Sequence, residues 1–254
     1  MTAPAARAGS QTRQCATSYR ARWLRAAVFV FLSTIPAAAT AQVGAVVSIF
    51  SDDRFRGYSL SDGRPVGILD LSYDAPNGFY GALSGSLVAS RHDGVQPLRV
   101  AVNAGYAKRL RSGLTVDVGA VHSLYSKYSG IGSSGRSYSE AYAGLAGKLI
   151  GARLSISPDY IGAAHWTAHG EINGHIDLSS KWLLDGEIGV LVPLGNAAYH
   201  ANSRVRLDAR VGIARRLGRF TLHAAVTTHT EGPDIYTVRE HGRTALVVGI
   251  SSSL

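Results

Sequence analysis

Three groupings in the chain carry residue types that could do chemistry. Val121-His122-Ser123 sets a base beside a hydroxyl, the start of a nucleophilic pair such as outer-membrane lipid hydrolases use. No acid is marked to orient the histidine and no oxyanion site accompanies it, and in a chain with 9 histidines a His-Ser neighbour arises by chance. His169, Glu171, His175 and Asp177 share one face of a strand-like stretch and are all metal-ligating types. Alternate residues on a strand stand about 6 to 7 Å apart, so only adjacent members could share an ion and other strands would have to complete the shell. Cys15 is the only cysteine, and it lies ahead of the mature chain, which leaves no thiol, disulfide or cysteine-bound metal. The expectation is a protein with no catalysis, no metal and no cofactor, whose polar groups line a wall.

The elements that must hold these groups begin after a leader. Residues 1–41 contain Arg7, Arg13, Arg20, Arg22 and Arg25, no acid, then the apolar run Ala26 to Pro36 and Ala39-Thr40-Ala41, the order of a cleaved secretory signal. The apolar run is shorter than the roughly 18 residues a spanning helix needs. The mature chain is therefore expected to be a single domain, 42–254. Removing five arginines lowers the formal charge from +9 to +4. No clustered basic face with interleaved aromatics is visible, so nucleic acid is not an expected partner.

From Val43 onward the governing signal is period two, which sends successive side chains to opposite faces. Ala168, Gly170, Ile172, Gly174, Ile176 and Leu178 alternate with His169, Glu171, Asn173, His175 and Asp177. Val205, Leu207, Ala209, Val211 and Ile213 alternate with Arg204, Arg206, Asp208 and Arg210. A soluble sandwich would also alternate, but the lengths argue otherwise. Strands are expected at 43–51, 64–73, 79–91, 98–108, 114–126, 138–149, 152–160, 167–178, 182–194, 204–215, 219–229 and 243–254, most of them about ten residues or more, which is what a tilted strand needs to cross a bilayer.

Every second connection is short, while those between, 52–63, 127–137, 195–203 and 230–242 among them, are mostly longer. Short periplasmic turns, longer extracellular loops and an even strand count describe an all-β transmembrane antiparallel barrel of about 12 strands in a bacterial outer membrane. Closure follows from physics, because an unpaired backbone group in hydrocarbon costs several kcal/mol. Tyr73, Phe79, Tyr106, Trp182 and Phe220 beside the short turns, and Tyr125, Tyr138 and Trp166 beside the long loops, are expected as aromatic girdles.

If the apolar register faces lipid, the interior is lined by Asp70, Arg99, Asn103, Asp117, His169, Glu171, Asn173, His175, Asp177, Asp185, Glu187, Arg204, Arg206, Asp208, Arg210 and His223. An arginine or lysine on the lipid side would cost roughly 2 to 4 kcal/mol at mid-bilayer. Twelve strands fall between barrels that side chains fill and barrels with an open channel, so a narrow pore and a sealed interior both stand, and the mixed signs argue against strong ion selectivity.

At the first long loop the sequence runs Ser51-Asp52-Asp53-Arg54-Phe55-Arg56-Gly57-Tyr58-Ser59-Leu60-Ser61-Asp62. This resembles the S-D-Y-R-F-R-G-x-S-x-S segment of the TorF family of outer-membrane porins, with Gly78-Phe79-Tyr80 similar to that family's second segment. Asp53 stands where the family usually has an aromatic, and the chain ends in Leu254 where such barrels usually end in phenylalanine. The resemblance implies passive diffusion of small hydrophilic solutes across the outer membrane, with lipid and lipopolysaccharide as neighbours and the barrel-assembly machinery as a partner during biogenesis. A closed structural or adhesive barrel, meeting partners through loops such as Gly130 to Arg136 and Glu231 to Arg243, is the alternative. Arg54 and Arg56, two apart, share a face in an extended segment while Phe55 points away. They either shape the mouth by pairing with Asp52, Asp53 or Asp62, or staple the loop or bind lipopolysaccharide phosphates.

Overall fold

The computed structural model describes residues 41–129, 136–160, 166–195, 205–230 and 243–254. The expected leader, Arg204 and most of the two adhesive-loop segments lie outside the described residues.

Twelve long strands form one closed antiparallel barrel: β1 (Gln42–Phe50), β4 (Val66–Asp74), β5 (Phe79–Ser90), β6 (Gly94–Arg109), β7 (Thr115–Tyr125), β8 (Arg136–Ala146), β9 (Ile150–Ser157), β10 (Thr167–Asp177), β11 (Trp182–Pro193), β12 (Arg206–Leu217), β13 (Phe220–His229) and β14 (Thr244–Ser253). Neighbours in sequence pair throughout, and β1 closes the ring by pairing with both β4 and β14. Each strand matches one expected from the alternation. The largest departure is β6, which starts at Gly94 because Ser90 pairs with Gly94 in a tight hairpin. Between β1 and β4 lies a separate two-stranded hairpin, β2 (Arg54–Phe55) and β3 (Tyr58–Ser59), which the alternation does not reveal.

The pleat decides what faces where. Val47, Ile49, Val102, Val118, Ile172, Ile188, Leu207, Val211, Val226 and Leu246 are all exposed on the outer wall, while their sequence neighbours point inward. A register shift at Ser86/Leu87 locally breaks the rule. The extra residue on β6 turns the buried Leu98 to the inside next to Arg99.

The short-turn girdle forms as expected: Tyr73, Phe79, Trp182 and Phe220 are exposed, and Phe79 meets Tyr106 edge-on at 5.1 Å between centroids. Trp166 is also exposed. Tyr125 and Tyr138 are not girdle residues; they are buried and face the interior. Both join a cluster with Tyr58, Leu60, Tyr160 and Leu191 inside the barrel. The physical reason is register, since Tyr138 shares its face with Glu140 and Tyr142, whereas Ala141, Ala143 and Leu145 hold the outer face.

Candidate functional site

The loop 51–64 does not lie over the mouth but folds into it. Phe55 pairs with Tyr58 across a two-residue turn in which Arg56 and Gly57 have φ of 51° and 82°, the left-handed pair that a type I′ hairpin requires. A side chain on Gly57 would be strained at that φ and would also meet the His229 Cβ at 2.7 Å and the Thr228 carbonyl oxygen at 2.9 Å. The turn therefore seats its backbone against β13.

Asp52 is the hub of this loop. Its carboxylate accepts hydrogen bonds from Ser59 Oγ (2.5 Å), Ser61 Oγ (2.7 Å) and Arg54 Nε (2.7 Å). Ser61 Oγ also accepts from the Asp53 amide at 3.0 Å, and Arg54 Nη1 donates to the Gly57 carbonyl at 2.8 Å. Ser51 anchors the start, its amide donating to Val248 and its hydroxyl accepting from the Val248 amide. Ser51, Asp52, Arg54, Gly57, Ser59 and Ser61 thus build the loop's own fold.

The turn breaks the extended geometry expected of Arg54 and Arg56. Arg54 reaches back to Asp52, while Arg56 reaches across the barrel to Glu140 on β8 at 2.7 Å. The Arg56 guanidinium lies 4.7 Å from the Phe55 ring centre and 5.3 Å from that of Tyr160, and its side chain is only 7% exposed. Burial works against its charge, but Tyr138, Tyr160 and Glu140 more than offset this and hold its pKa well above the ordinary arginine value. With both arginines buried, neither is presented to lipopolysaccharide phosphates. On the other side Tyr58 stacks on His229 at 4.0 Å, with Arg206 5.9 Å from its ring. The segment leaves β1, touches β8, β12 and β13, and returns to β4, so it spans the interior.

Asp70, Arg99, Asn103, Asp117, His169, Glu171, Asn173, His175, Asp177, Asp185, Glu187, Arg206, Asp208, Arg210 and His223 all occupy the inward register of their strands. They form separate groups. On one wall Asp117 accepts from Tyr80 Oη (2.6 Å) and Arg153 Nη2 (3.0 Å), Tyr142 donates to Asn103 at 3.0 Å, and Arg153 stacks on Tyr142. On the facing wall Arg210 pairs with Asp185, His169 lies 3.4 Å from Asp208, and His223 bonds Ser251 at 2.8 Å.

These side chains lie along the wall because inward glycines leave room beneath them. A Cβ at Gly105 would sit 2.5 Å from the Tyr80 hydroxyl, one at Gly189 2.6 Å from Asp208, and one at Gly212 2.8 Å from Arg210. Some of them keep accessible surface. Arg210 and Asp185 are 40% and 25% exposed although they point inward, whereas His169, nearer the folded-in loop, is 1% exposed.

The other groupings come apart. His122 faces outward and bonds Ser139 at 2.7 Å, while Ser123 is buried on the inner face. Neighbours along a strand point to opposite faces, so this pair cannot act together. Among the described residues no three His, Cys, Asp or Glu side chains converge as metal ligands. Glu140, Tyr80, Tyr142, Arg153 and His229 were missed by sequence reasoning; the same alternation that marks Asp117 also marks Glu140 and Arg153.

No curated protein matches the chain by sequence. Among solved structures it is similar to the KdgM porin, at a TM-score of 0.50 and 12% identity over 83% of this chain and 99% of that one. It is also similar to the NanC porin, at 0.51 and 13% identity over 83% of this chain and 100% of that one. At such identities the likeness is one of fold: a closed, all-β, 12-stranded barrel. Residues 35–253 match the family described as "Bacterial protein of unknown function (Gcw_chp)", and the chain belongs to that family.

Proposed function

We propose that the chain is a porin-like channel of the bacterial outer membrane that passes small hydrophilic solutes, with the loop 51–64 folded into its lumen as the constriction. The observation that carries this reading is the accessibility of inward-facing charge: Arg210 and Asp185 point into the barrel and are still 40% and 25% exposed. A mostly apolar outer wall, a short-turn aromatic girdle and a fold shared with the KdgM and NanC porins support it. The Ser51–Asp62 segment supports kinship with the TorF porins, and residues 1–41 are then the cleaved export signal. On this reading Asp70, Arg99, Asn103, Asp117, His169, Glu171, His175, Asp177, Glu187, Arg206, Asp208 and Arg210 line the pore. Outer-membrane lipid surrounds the wall, and the assembly machinery inserts it.

Liposome swelling tests the proposal. Vesicles holding the refolded barrel, 42–254, should swell in pentoses and hexoses at rates that fall steeply with solute size, and should exclude larger oligosaccharides. Vesicles that swell no faster than protein-free ones would leave the second reading, a closed structural barrel, which the burial of Arg56 and its neighbours favours.

A further inference from the structure

The two ends of the barrel differ in charge. The residues at and between the strand ends on the short-turn side, 73–79, 108–115, 146–150, 177–182 and 215–220, hold eight lysines and arginines against two acids, Asp74 and Asp177. At the opposite end the connections 51–65 and 90–94 carry acids and cations in equal number. On the short-turn rim Arg216 lies 3.6 Å from Asp177.

Some of these cations are held on the outside of the wall at girdle height. Trp182 and Arg215 are opposite one another on β11 and β12, both on the outward register, and the guanidinium lies 5.1 Å from the indole centre. Next to them Arg219, in the turn, lies 4.9 Å from the Phe220 ring. Stacking orients a guanidinium by its face and leaves the N–H donors at its edge for an anion. Apolar rings at the interface with cations just beyond them match a lipid whose tails meet the rings and whose phosphate meets the charge.

Resting on the membrane reading above, we propose that Trp182, Arg215, Arg219 and Phe220 form a binding surface for anionic phospholipid headgroups in the leaflet at the short-turn end. The chemistry needed is a singly or doubly charged phosphate joined to acyl chains. The wider ring, with Lys108, Arg111 and Lys181, adds attraction that salt screens.

The barrel segment 42–254 holds every strand among the described residues and contains two tryptophans, Trp166 at the long-loop end and Trp182 at the short-turn end. A W166F variant leaves Trp182 as the reporter. Its fluorescence is measured in vesicles in which either phosphatidylglycerol or phosphatidylcholine carries bromine on its acyl chains. The expected result is a roughly five-fold preference of Trp182 for the anionic lipid, falling towards one in R215Q/R219Q and in high salt, and kept in R215K/R219K. A W182F variant, reporting from Trp166, should show no comparable preference. Equal quenching by the two lipids, a preference unchanged in R215Q/R219Q, or the same preference at Trp166 would overturn the inference while leaving the membrane reading intact. Failure of either brominated lipid to quench would overturn both.

Discussion

Asp52 is the residue on which the interior loop turns, because one carboxylate organises two hydroxyls and a guanidinium with little water to replace them. Asp52→Asn keeps the size but removes the charge that Arg54 answers. It should leave the barrel folded and loosen the loop, so that trypsin, excluded from Arg54 and Arg56 in the parent, cuts there. Arg56→Ala leaves Glu140 buried without its cation, a loss of about 3 kcal/mol measurable as a lowered urea midpoint in lipid vesicles. R56A/E140Q should cost less than R56A alone, since the stranded charge is gone. With its pKa held above the ordinary arginine value, Arg56 stays charged at every workable pH, and alkaline conditions should not open the pair from its side.

At the scale of elements the twelve strands were legible, because the pleat forces period two and one face of every strand had to be apolar. Val211→Arg tests that face and should cost roughly 2 to 4 kcal/mol of unfolding free energy in vesicles, whereas an arginine at inward Thr227 should cost far less. The hairpin β2–β3 was not legible. Two residues per strand carry no periodicity, and its position depends on the left-handed Arg56-Gly57 turn and on contacts with β8 and β13 distant in sequence. The misassigned Tyr138 had a readable clue in Glu140 on the same register, while Tyr125 shares its face with Ser123 and Asp117. Gly57→Val should displace the hairpin, since both its φ and the 2.7 Å approach to His229 forbid a side chain. Increased trypsin cleavage at Arg54 with unchanged heat-modifiable gel mobility would report it.

For the whole molecule, the closed barrel was within reach of the strand pattern, but the state of the interior was not. Alternation says that Asp185 and Arg210 face inward, yet whether water reaches them depends on inward glycines such as Gly212 that let side chains lie flat, and on the depth to which the first loop folds. The two ends are also unlike: aromatic side chains of the folded-in loop and its neighbours pack together inside the barrel, whereas Arg210 and Asp185 on the inward register are partly exposed. The most direct test is single-channel conductance of the refolded barrel, 42–254, in planar bilayers, beside a variant in which residues 52–61 are replaced by a short Gly-Ser linker. The account expects discrete steps from the parent and steps several-fold larger from the variant. Folded barrels of both kinds that remain electrically silent would contradict it.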